Sequence, residues 1–186
     1  MAAFIVSLSL VLLAEMGDKT QLLVMCFAAK YRWQTVLLAA FAATLASFLA
    51  ASLLGSSLTL LVPIKYIKII ASLSFIGFGI WTLKNEKEEE CETGKPGISP
   101  FWAIATAFTV AELGDKTQLA TVALAAKYNA VIPVWLGSTT GMVMADAAGI
   151  TVGAVMGKKL PEKAIKWFAS VIFILFGALG LYESLK

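Results

Sequence analysis

Residues 14–22 read AEMGDKTQL, and 97 positions later residues 111–119 read AELGDKTQL. Each copy lies within a long apolar run, yet each brings three charges within five residues: Glu15, Asp18 and Lys19, then Glu112, Asp115 and Lys116. The likeness reaches beyond the phrase. Residues 14–31 and 111–128 agree at 12 of 18 positions, both ending in AAKY, and the FG at 78–79 is answered by FG at 176–177 with one extra residue. An internal duplication of this extent dictates the architecture, because each half has to supply equivalent elements in equivalent places.

The apolar runs say what those elements are. With 59% hydrophobic residues, 15% charged residues and a mean hydropathy of +0.83, the chain lies well above the ~45–50% apolar share of soluble domains. In hydrocarbon only helices and closed barrels satisfy the backbone, and apolar runs of about 20 residues suit helices. The sequence therefore predicts an all-α integral membrane protein with six transmembrane helices near 3–29, 34–61, 66–83, 100–126, 132–157 and 164–183. The start, MAAFIVSLSLVLLAE, lacks a basic leader region and reads as the first span.

Residues 1–84 form the first three-helix repeat, 85–99 an acidic linker containing EKEEECE, and 100–186 the second repeat. The linker reads as a solvated segment, with a partner-binding or metal-sensing tract as the alternative. Three spans is an odd number, so the second half enters the membrane upside down relative to the first. The expectation is two inverted-topology repeats, with equivalent sites meeting near mid-membrane.

Orientation follows from the basic residues. The first, third and fifth breaks hold nine Lys and Arg residues, against four on the opposite side, which puts both termini outside and the acidic linker in the cytoplasm. These charges are dispersed, so no nucleic-acid footprint is present. The chain has no histidine, and Cys26 and Cys91 make no paired metal motif, which argues against zinc or copper sites of the usual kind.

On a helix, residues three apart share a face, so Glu15 and Asp18 point the same way, as do Glu112 and Asp115. Gly17 and Gly114 sit between them, where glycine loosens the helix and frees backbone carbonyls. Carbonyls, carboxylates, Thr20, Thr117, Gln21 and Gln118 are all oxygen donors, a set that suits hard divalent ions such as Ca²⁺, Mg²⁺ and Mn²⁺. The structural alternative is a helical ion pair in each motif, Glu15 with Lys19 and Glu112 with Lys116. Against it stands the insertion cost of about 2.5–3.5 kcal/mol per charged residue at the bilayer centre. The lysines either screen the empty site and swing away or snorkel toward the surface.

Two further features stand out. Ala39, Ala43, Ser47, Ala51 and Gly55 in the second span, and Gly137, Gly141, Ala145, Gly149, Gly153 and Gly157 in the fifth, form stripes of small residues that permit close helix contact. Asp146 lies midway along the fifth span, where the 97-residue shift places Leu49. It is an extra ligand, a proton carrier or a partner of Lys116.

At this point the chain resembles a known family of small membrane proteins that carry E-x-G-D-[KR]-[ST] once in each three-helix half. That family includes a Golgi manganese and calcium transporter, chloroplast manganese transporters and bacterial manganese exporters. Both copies are complete here, from Glu15 to Thr20 and from Glu112 to Thr117. The resemblance implies secondary-active exchange of Mn²⁺ or Ca²⁺ for protons, with the acidic motif residues as ligands and no resident cofactor. It further implies a multi-pass protein of a bacterial cytoplasmic membrane whose partners are the bilayer, a divalent cation and protons, with homo-oligomerisation left open. A proton-coupled exporter of an organic cation or amino acid is the alternative, and an intramembrane hydrolase using a carboxylate dyad is a third class.

Overall fold

The computed structural model describes residues 1–16, 18–83, 99–156 and 162–185. The acidic linker with Cys91, Gly17 and Gly157 lie outside the described residues, as does the side chain of Lys19. Among the described residues the fold is entirely helical: α1 Ala2–Glu15, α2 Lys19–Lys30, α3 Trp33–Leu61, α4 Ile64–Thr82, α5 Pro100–Glu112, α6 Lys116–Tyr128, α7 Val131–Met156 and α8 Glu162–Leu185.

Six apolar runs thus become eight helices, because the first and fourth expected spans each break in two at the motif. This corrects the premise that Glu15 and Asp18, or Glu112 and Asp115, lie on one face of a continuous helix. Glu15 ends α1 and Asp18 is the N-cap residue before α2; Glu112 ends α5 and Asp115 is the N-cap residue before α6. The second break is visible in the backbone, where Gly114 adopts φ +74°, a left-handed conformation that glycine takes without a Cβ clash. The other expected boundaries fall within a few residues of the observed helix ends. Among the described residues, α3 is the one helix long and apolar enough by itself to cross a membrane; the motif breaks leave α1, α2, α5 and α6 at 12–14 residues each.

The halves interlock rather than fold separately. Helix α3 packs chiefly against α5, α6 and α7, whereas α7 packs against α1, α2 and α3, and α4 pairs with α8. The small-residue stripes make the first two contacts. A Cβ added at Gly141 would lie 2.6 Å from the carbonyl oxygen of Leu8, one at Gly137 would strike that of Phe4, and one at Gly55 would strike that of Val122. Backbone therefore meets backbone, the usual way helices associate where lipid removes the hydrophobic drive.

The α4–α8 contact is reciprocal. Gly79 opposes Ser170 and Ile174, and Gly177 opposes Ser72 and Ile76, each pair displaced by 98 positions. Rings follow the same rule: Phe75 meets Phe176 at 5.1 Å and Phe173 meets Phe78 at 6.3 Å, with Phe75 and Phe173 stacked between them at 6.1 Å. In a two-fold contact, residue i touches j and j touches i, and the third helices of the two halves meet in that way.

Candidate metal centre

The two breaks meet inside the bundle. Glu15, Asp18 and Asp115 each present a carboxylate oxygen within 4.8 Å of the others, and all three residues are at most 3% exposed. Two of these carboxylates come from the first motif and one from the second. The local reason is the pair of interruptions: each ends one helix on a glutamate and places an aspartate at the N-cap of the next. Aspartate at such a position commonly caps its own helix through its side chain, but neither Asp18 nor Asp115 does so.

Lys116 enters from the second half and places its ammonium 2.6 Å from Asp18, with both side chains 2% exposed. The first motif is thus partly neutralised by a lysine of the second. Thr20 donates its hydroxyl hydrogen to Glu15 Oε2, and Thr117 donates to Asp115 Oδ2 at 3.2 Å. Among the described residues Oε1 of Glu15 has no hydrogen-bond partner, although the residue is fully buried.

The equivalent glutamines take different partners. Gln21 donates from Nε2 to the carbonyl of Ala145 on α7 at 3.0 Å, and Gly149 leaves the room for its side chain. Gln118 instead accepts from the backbone N–H of Gly114 at 2.8 Å, closing the break in its own half. Glu112 stands apart from the three-carboxylate group. Its Oε1 accepts a hydrogen bond from Thr44 on α3 at 2.7 Å, and Asp146 is buried midway along α7. Thr44 was not singled out from the sequence; its only signal there is a hydroxyl within an apolar run.

Buried oxygen donors without nitrogen or sulfur ligands, negatively charged and drawn from several helices, suit a hard divalent ion. An uncompensated charge in such surroundings costs several kcal/mol, so groups of this kind are kept for function.

Comparison with known proteins agrees with this chemistry. The family model described as "Divalent cation/proton antiporter GDT1" matches residues 3–90 and 100–186, that is, both halves. A Vibrio cholerae protein named "Putative manganese exporter" is 36% identical over 180 residues, covering 94% of this chain and 88% of the relative. The Synechocystis "GDT1-like protein sll0615" is 29% identical, covering 100% of this chain and 99% of its own length. The Arabidopsis thaliana "GDT1-like protein 5" is 26% identical, covering 96% and 94% respectively. No solved structure matches the chain. The family is one of transporters and not of enzymes, and its model covers nearly the whole sequence. This chain therefore belongs to the GDT1 family of divalent cation/proton antiporters.

Proposed function

We propose that the protein exports Mn²⁺ from a bacterial cytoplasm in exchange for protons, with Ca²⁺ as a second cargo of the same chemistry. The observation that carries this reading is the group of three buried carboxylates, Glu15, Asp18 and Asp115, within 4.8 Å of one another. The manganese assignment is supported by the name of the Vibrio cholerae relative.

In this reading Glu15, Asp18 and Asp115 hold the ion, and Glu112, Gln21 and Gln118 complete the polar lining, with Thr20 and Thr117 orienting the carboxylates. The two halves are inverted repeats that rock about the central site and expose it to one side at a time. Reciprocal α4–α8 packing supports this, since it provides a two-fold seam about which the halves can pivot. Protons take the carboxylates when the metal leaves, and the protonated form makes the return step. Both termini lie outside and the acidic linker lies in the cytoplasm.

The test is Mn²⁺ and Ca²⁺ flux in proteoliposomes with and without a pH gradient. A proton gradient directed into the compartment that holds the metal should drive the metal out, and apparent metal affinity should fall as pH falls. Metal flux driven by membrane potential alone, without proton movement, would replace the antiporter with a uniporter or channel.

A further inference from the structure

Away from the carboxylate group, three helix ends enclose a cavity of about 400 Å³, lined by Lys68 of α4, Lys127 and Tyr128 of α6, and Phe176, Gly180 and Glu183 of α8. Lys68 stands in the second turn of α4, Lys127 in the last turn of α6 and Glu183 in the last turn of α8. The volume falls within the ~300–1,000 Å³ usual for small-molecule sites.

Lys127 is half-buried here without a counter-charge. Its Nζ lies 4.4 Å from the centroid of the Phe176 ring and 5.8 Å from that of Tyr128. Among the described residues no group pairs with it at ion-pair or hydrogen-bond distance. Two aromatic faces orient a cation but leave its N–H donors unused. Gly180 makes the seat, since a Cβ there would stand 3.1 Å from Lys127 Nζ and 2.6 Å from Ser72 Oγ. The duplication does not account for this arrangement. Lys30, in the same AAKY phrase of the first half, is exposed, and the 98-residue shift sets Gly180 against Thr82, which is buried and bonded to the carbonyl of Phe78. The seat is therefore particular to the second half.

The lining selects the ligand. Lys68 and Lys127 against Glu183 leave the described lining one positive charge in excess, which a single phosphodiester anion balances. Leu175 and Leu179, four residues apart on one face of α8, are 57% and 62% exposed, and Leu179 also lines the cavity. An apolar surface thus runs from the cavity along the helix, where an acyl chain can lie and a soluble anion gains nothing. In the orientation proposed above, these three helix ends share the outer membrane face, at the depth of the headgroups.

We propose that this cavity binds the phosphodiester headgroup of an anionic phospholipid, with Lys68 and Lys127 holding the phosphate, Glu183 accepting from a headgroup hydroxyl and an acyl chain lying along α8. The proposal rests on the membrane orientation of these helix ends and not on the choice of cargo. The lipid ties α6, which carries Lys116 and Thr117 of the second motif, to the α4–α8 seam.

The experiment is native mass spectrometry of the purified full-length chain released from nanodiscs of equimolar phosphatidylglycerol and phosphatidylcholine. Wild-type protein should retain phosphatidylglycerol in preference. Lys127→Gln and Lys68→Gln should each lower that retention about fivefold, the equivalent of ~1 kcal/mol per lysine at a membrane surface. Lys68 is exposed, so its replacement leaves the packing alone, and Lys30→Gln should retain the lipid as wild type does. Equal retention of the two lipids by wild type, or equal phosphatidylglycerol retention by wild type and all variants, would overturn the proposal. Displacement of the lipid by millimolar inorganic phosphate would replace it with a soluble-anion site. Mn²⁺ flux of wild-type protein in phosphatidylcholine vesicles reads the transport proposal separately: flux without lipid preference overturns the lipid site alone, and lipid preference without flux overturns transport alone.

Discussion

The ammonium of Lys116 lies 2.6 Å from the carboxylate of Asp18, so a residue of the second motif neutralises a residue of the first across the seam between the halves. Neither group has enough solvent to support its charge alone. The pair therefore couples the position of one half to that of the other, and any cation that enters the carboxylate group has to compete with Lys116 for Asp18.

Breaking this pair from one side should be costly. Lys116→Met leaves Asp18 charged and buried, and should destabilise the chain by about 3–5 kcal/mol, the usual range for removing one member of a buried ion pair. Adding Asp18→Asn should recover most of the loss, since the uncompensated charge goes with it. Thermal unfolding of the single and double variants in detergent measures the coupling, and additive effects would contradict it.

Glu15→Gln and Asp115→Asn should each reduce Mn²⁺ transport at least about tenfold, because the amide keeps the shape but removes the charge that a hard cation requires. Helix content by circular dichroism should be unchanged. Lys30→Gln, at an exposed position at the end of α2, should transport normally. Equal losses from the buried and the exposed changes would point to a folding defect.

Gly114→Ala tests the backbone of the second break. At φ +74° with open space around it, the strain is conformational and should cost about 1–2 kcal/mol. Transport should fall because Asp115 is displaced from Glu15 and Asp18. Gly77→Ala is the control: it too meets nothing within 4 Å, but it lies in helix α4 at an ordinary φ, and should be neutral or stabilising by up to about 1 kcal/mol. Thermal midpoints and Mn²⁺ flux of the two variants make the comparison.

Gly141→Ala tests the close contact of α7 on α1. The added methyl would stand 2.6 Å from the Leu8 carbonyl oxygen, so the helices must separate, at a cost of about 1–3 kcal/mol as for other overpacked contacts. A thermal midpoint unchanged from wild type would show that this seam yields freely.

Much of this protein was legible in its sequence because the signals are local. Apolar runs gave helix positions to within a few residues, the repeated phrase gave the duplication, and the small-residue stripes marked the faces that α3 and α7 turn to their neighbours. The same local reasoning failed at the motifs. Spacing of three placed Glu15 with Asp18 on one helical face, but that rule holds only while the helix continues, and it stops at each motif.

What the sequence determined by itself is therefore the inventory: where the apolar helical runs lie, that each half carries the same acidic phrase, and that its candidate donors are oxygen atoms suited to a hard cation. Tertiary structure alone decided which of those donors meet. Lys116 reaches Asp18 across the halves, Gln21 reaches α7 while Gln118 closes its own loop, and Glu112 takes a hydroxyl from Thr44 on α3. The physical reason is that identical motifs in a single chain have different neighbours. A buried charge takes whichever counter-charge or hydroxyl the packing of distant helices brings within reach, and no spacing along the chain records that distance.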